Sequence, residues 1–276
     1  MSQKGLQDEG SVFAINWFRN RLNEVKELSE KLYVEFRISE VLKIIYSLAW
    51  DDFCSWYLEW VKPGFEQPVP QEVVEQSIRF FEEILQLLHP FMPFITEEMY
   101  HLLLAREDDL CVKQFSAIGK MDQQVLMQGK LLKDAITSIR DARNKAQIKP
   151  KQPVELYIHT NEPNQYAEIA GILSKQVNAQ TTQFTENPVE RSVTVVSGMD
   201  KFYLVGEQAV DTGLQRKDLQ KELDYLKGFL NSVNSKLSNE RFLQNAKPEV
   251  VSLELRKKED AEAKIKIIEE SLSTLL

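Results

Sequence analysis

The sequence predicts a mainly α protein: a helical bundle, then a small α/β insert, then a C-terminal antiparallel coiled-coil hairpin. Three observations predict it. Apolar residues recur at three- and four-residue spacing through the first part of the chain. The period changes at Pro150, where runs such as PVELYIHT read as strands. From Leu214 the period is helical again and becomes a heptad. With 276 residues the chain has room for two or three small domains, and 43% hydrophobic with 28% charged residues is a globular composition.

The polar opening MSQKGLQDEG, residues 1–10, is expected to be a disordered tail and lacks the pattern of a signal peptide. Residues 11–151 read as the bundle. Ile15, Phe18, Leu22 and Val25 form the stripe of its first helix. A second helix over 39–61 has Ser39 as a candidate N-cap, carries the aromatic stretch AWDDFCSWYLEW and ends at Pro63-Gly64. A third over 71–89 is striped by Val74, Ile78, Phe81, Leu85 and Leu88. Pro90 and Pro93 then stop the chain and re-aim it into a fourth helix starting at Thr96, a bend expected to bury Phe91, Met92 and Phe94. A fifth helix follows over 122–146. Residues 152–213 read as the α/β unit, with strands in PVELYIHT, SVTVV and KFYLV and a helix over Pro163 to Val177.

Residues 214–276 read as the arm. Leu219, Leu223, Leu226, Leu230, Val233 and Leu237 are spaced 4-3-4-3-4, and Ala261, Ile265, Ile268, Leu272 and Leu275 repeat the pattern after Pro248. Two such helices satisfy each other in cis, so the arm is expected to be a monomeric hairpin that covers no core outside itself. Glu254 and Lys258 interrupt the second seam and predict a shift of register there.

No apolar run approaches the roughly 20 residues of a membrane span, which predicts a cytoplasmic protein. Cys54 and Cys111 read as two reduced thiols. His89, His101 and His159 lack metal-ligand spacing, no glycine-rich phosphate loop is present, and no spacing suggests a nucleophilic triad. Neither a metal ligand nor a catalytic residue is therefore expected. Asp51 and Asp52, mid-helix among aromatics, read as structural partners of Arg19 or Arg21.

The net charge of −8 argues weakly against a nucleic-acid partner, but its distribution argues the other way. Residues 130–151, KLLKDAITSIRDARNKAQIKPK, hold seven basic and two acidic side chains. On a helix Lys130, Lys133, Thr137, Arg140 and Asn144 share one face, while Leu132, Ile136 and Ile139 point inward. Arg143, Lys145, Lys149 and Lys151 extend the positive charge. Such a stripe suits a phosphate backbone, and a solvated helix face explains the same charges.

The order of AWDDFCSWYLEWVKP, FFEEILQLLHPFMPFITEEMYHLL, IRDARNKAQIKP and KLSNERFLQNAKPEVV resembles the C-terminal part of the bacterial valyl-tRNA synthetase family. HPFMPFITEE is shared with the leucine and isoleucine enzymes; WDDFCSWYLE together with the KLSNERF hairpin points to valine. The resemblance implies an anticodon-binding bundle and an arm that contacts tRNA. With tRNA as the partner, the basic stripe makes Lys130, Lys133, Arg140, Arg143, Lys145, Lys149 and Lys151 the expected contacts, joined near the arm tip by Lys236, Arg241 and Lys247. The resemblance also implies that catalysis, with ATP and Mg²⁺, belongs to domains of the parent enzyme absent from these residues, so no cofactor is expected here. The alternatives are the same region of a leucyl- or isoleucyl-tRNA synthetase, or a non-enzymatic coiled-coil scaffold.

Overall fold

A computed structural model of the chain describes residues 9–64, 66–206, 212–239, 242, 246 and 248–274. Of the expected tail, Glu9 and Gly10 already belong to the first helix, and residues 1–8 lie outside the described residues. The chain divides into two compact units, 1–130 and 131–276.

In the first unit, α1 (Glu9–Val34) buries Phe18 and Trp17 completely. The Phe18 ring meets Phe53, Tyr57 and Phe80 at centroid distances of 5.2, 5.1 and 5.0 Å, and Trp17 meets Trp60 at 4.5 Å. Offset and tilted aromatic pairs of this kind add to the area they bury. A tight turn with Phe36 at φ 56° leads into α2 (Ile38–Ser47). The helix then widens into a π-helical stretch, Leu48–Tyr57, before α3 (Leu58–Val61). The sequence period did not distinguish this wide turn from an ordinary helix. Inside it Asp52 is buried and accepts two hydrogen bonds from Arg21, at 3.0 and 2.8 Å, as its position among aromatics suggested. Asp51 instead accepts the Ser47 hydroxyl at 2.7 Å, and Arg19 donates to Asn16 and Gln76 rather than to an acid.

The double-proline bend joins α4 (Gln71–Leu88) to α5 (Pro93–Leu103). Pro93 occupies the first turn of α5, where its missing N–H costs nothing, so the helix begins three residues before Thr96. The bend is fixed by polar contacts rather than by its aromatics. The amides of Phe91 and Met92 both donate to the Leu88 carbonyl, and His89 Nδ1 lies 2.9 Å from the buried Thr96 hydroxyl. Phe94 is 91% exposed and Met92 is exposed, which corrects the expectation that the bend buries them; Phe91 is half-buried. A 3-10 turn at Leu110–Val112 follows.

The second unit holds the remainder of α6 (Gln123–Lys145), a four-stranded sheet and the arm. The strands β1 (Val154–His159), β2 (Ala179–Phe184), β3 (Val193–Ser197) and β4 (Asp200–Val205) lie in the order β2-β1-β4-β3. The helix α7 (Ala170–Gln176) carries the crossover between the parallel pair β1 and β2, and β3 and β4 form an antiparallel hairpin through Gly198 at φ 61°. The edge strand β2 was not expected, because AQTTQF has no alternating apolar face.

The arm pairs α8 (Thr212–Leu237) with α9 (Pro248–Thr274). Lys227 meets Glu269 at 2.7 Å and Lys236 meets Glu254 at 3.7 Å, so partners descend α9 as α8 ascends: the hairpin is antiparallel. Glu254, Ala261 and Ile268, seven residues apart, are all buried. The seam therefore continues through Glu254 without the expected shift, and Lys236 and Lys257 answer its charge. The arm is not free of the sheet. Leu219, Leu223 and Ile268 enclose Val196 of β3, and Lys201 of β4 reaches Glu270 at 3.0 Å. Removing residues 214–276 would uncover Val196, contrary to the expectation of an arm that covers no other core.

Candidate nucleic-acid interface

The basic helix has two unlike faces. Leu132, Ala135, Ile136 and Ile139 are fully buried, and Arg143 continues their row at the same spacing. Arg143 is only 4% exposed. Its guanidinium donates to the carbonyl oxygens of Val177 at 2.9 Å, Lys149 at 2.8 Å and Gln152 at 2.5 Å, with Pro150 at 3.4 Å. Burial pushes this guanidinium below its usual value. These bonds make Arg143 a strut of the second unit, a role that its expected tRNA contact did not anticipate.

The other predicted cations stay at the surface. Lys130 is exposed at the end of the first unit. In the second unit Lys133 is half-buried, and Arg140, Lys145, Lys149 and Lys151 are exposed. Arg140 is held by the Gln176 carbonyl at 3.0 Å and the Gln176 side chain at 2.7 Å, which orients its fork while leaving it at the surface. Lys145 lies 3.8 Å from Asp141. On the arm Lys236 is exposed but faces Glu254. Arg241 and Lys247 lie outside the described residues. Asn239 accepts the Phe242 amide at 3.3 Å, a turn-capping role.

The first unit adds a surface that charge alone did not reveal. On α2, Val41, Ile45 and then Leu48 are fully buried. The same helix carries a second apolar row, Ile38, Leu42, Tyr46 and Trp50, at successive four-residue steps on exposed positions. Tyr46 and Trp50 are 59% and 61% exposed, and their rings lie nearly parallel, 11° apart with centroids at 6.4 Å. The π-helical stretch begins between them, and the Ser55 hydroxyl donates to the Trp50 carbonyl at 2.9 Å. Water gains nothing from such a row, whereas unstacked bases gain stacking on aromatic faces. Spacing could have found it: the four residues recur at four-residue steps beside the buried row.

The chain is similar to known proteins over two segments. The anticodon-binding domain of tRNA ligases matches residues 16–158, and the valyl tRNA synthetase tRNA binding arm matches residues 211–276. The chain is 34% identical to a valine-tRNA ligase of Christiangramia forsetii over its whole length, 35% identical to that of Parabacteroides distasonis over 98% of its length, and 32% identical to that of Bacillus subtilis over 98%. It spans 31–32% of the length of these relatives. With its last segment matching the valyl tRNA synthetase tRNA binding arm, the chain belongs to the family of tRNA-ligase anticodon-binding domains.

Proposed function

We propose that this chain binds and orients the valine-accepting tRNA for a ligase that joins valine to that tRNA in the cytoplasm, with ATP and Mg²⁺ used by domains outside these residues. The observation that carries the reading is the exposed row Ile38, Leu42, Tyr46 and Trp50 beside the fully buried row Val41, Ile45 and Leu48. A two-sided apolar helix in a surface position needs a second partner. Anticodon bases are the partner that suits parallel aromatic rings, and the family of the first unit supports it. The surface cations Lys133, Arg140, Lys145, Lys149 and Lys151 would hold phosphates, and they position rather than specify. The arm, paired in cis, would act in a monomer by extending the contact along the tRNA. Among the described residues no helix is long and apolar enough to cross a membrane.

The test is competition. An anticodon stem-loop RNA of the valine tRNA is expected to displace whole tRNA from the chain in part, because it occupies the α2 row and leaves the arm free. A stem-loop that displaces none would remove the α2 row from the reading.

A further inference from the structure

The double-proline bend places two histidines on either side of one carboxylate. His89 closes α4, and Glu97 and His101 share a face of α5 four residues apart. Asp109 arrives from the segment after α5. His101 Nε2 lies 3.4 Å from Glu97 Oε1 and 3.1 Å from Asp109 Oδ1, and His89 Nε2 lies 4.0 Å from Glu97 Oε2. Glu97, His101 and Asp109 each bring one ligand atom into a space 4.8 Å across.

The His89 ring is fixed by its neighbour. The Thr96 hydroxyl lies 2.8 Å from the Met92 carbonyl and 3.1 Å from the Pro93 carbonyl, and it holds His89 Nδ1 at 2.9 Å, which turns Nε2 toward the Glu97 carboxylate. Glu97 is itself oriented by the backbone amides of Leu110 at 2.6 Å and Cys111 at 3.2 Å. A carboxylate fixed by backbone amides has the outer support that metal ligands carry.

We propose that Glu97, His101 and Asp109 form a binding site for a divalent transition-metal ion of the zinc class, which ties α5 to the following turn, with His89 of the α4 end standing beside it at 4.0 Å from the other oxygen of Glu97. An imidazole with two carboxylates suits such an ion rather than calcium or magnesium, which take oxygen sets. Zinc holds these ligand types at about 2.0–2.2 Å, so ligand atoms on one ion stand roughly 3–4 Å apart. The separations of 3.1 and 3.4 Å fall in that range. Sequence spacing hid the set, because Asp109 reaches the face of α5 only through the fold of the segment that follows it.

The experiment is a titration of the intact, tag-free, chelator-treated chain with Co²⁺, read by visible absorption, followed by displacement with Zn²⁺ and a melting curve with and without Zn²⁺. The expected result is one ion per chain, displaced by one Zn²⁺, and a higher melting temperature with Zn²⁺. His101→Ala and Asp109→Asn, both at accessible positions, are each expected to weaken uptake at least tenfold while melting like the parent without metal. Cys54→Ser with Cys111→Ser is expected to leave uptake unchanged. The proposal is overturned if the parent takes up no stoichiometric ion, if His101→Ala binds as the parent does, or if the serine variant loses the ion.

Discussion

Arg143 Nη1 donates to the Val177 carbonyl oxygen at 2.9 Å, binding the last turn of α6 to the residue that follows α7. One guanidinium thus ties the helix to the α/β unit from inside. Arg143→Ala leaves the carbonyl of buried Val177, and the half-buried ones around Lys149 and Gln152, without this donor. It should destabilise the chain by about 3 kcal/mol. The salt dependence of tRNA binding, measured on whatever fraction is folded, should not change. Urea unfolding and a salt titration check the two halves of this prediction separately.

Gly129 is the second position where α6 is fixed by contact. A Cβ there would stand 2.1 Å from the ring of Trp17, which is buried. The helix can approach the indole this closely only without a side chain. Gly129→Ala gains helix propensity in isolation but overpacks the first unit, and should lower stability by about 1–3 kcal/mol. A thermal melt that rises on this substitution would show that the indole moves aside freely.

Tyr46→Ala and Trp50→Ala remove exposed rings, so each should change stability by less than about 0.5 kcal/mol. If the rings stack on bases, each substitution should weaken tRNA binding by about 1–3 kcal/mol. The slope of affinity against salt should stay as it is, because no phosphate contact is lost. Parallel melting and binding curves check this.

Glu82 supplies a pH dependence with a definite sign. Burial alone would raise its carboxyl, but Arg106 and Lys113 outweigh that and hold it below the ordinary value of 4.5. A depressed carboxylate stabilises the fold in full above about pH 4.5 and loses that contribution as pH falls through its folded value. Glu82→Gln should therefore lower stability near neutrality and flatten the acid limb. Urea midpoints taken across that limb, for the parent and the variant, measure it.

Much of this architecture was legible because it rests on period. The seam of the arm, the inward row Leu132, Ile136, Ile139 and the salt link of Asp52 to Arg21 all follow from spacing and composition. Arg143 was legible too, since it stands on that same inward row, but its charge drew attention to the phosphate reading instead. The rest depends on contacts distant in sequence. β2 is polar and is a strand only because β1 offers it an edge. Gly129 is explained by a residue more than a hundred positions away. Phe94 reads as core by type and is exposed because Pro93 starts α5 with that residue facing out.

The central claim is that this chain recognises the valine-accepting tRNA through a stacking surface and a basic surface together. The most direct measurement is the affinity of the intact chain for a panel of purified tRNAs at two salt concentrations, repeated with Arg140, Lys149 and Lys151 changed to Ala. The account predicts preference for the valine tRNA, affinity that falls with salt, and a slope reduced by about 0.7–0.9 for each phosphate contact removed. Equal affinity for every tRNA, or a slope untouched by the three substitutions, would contradict it.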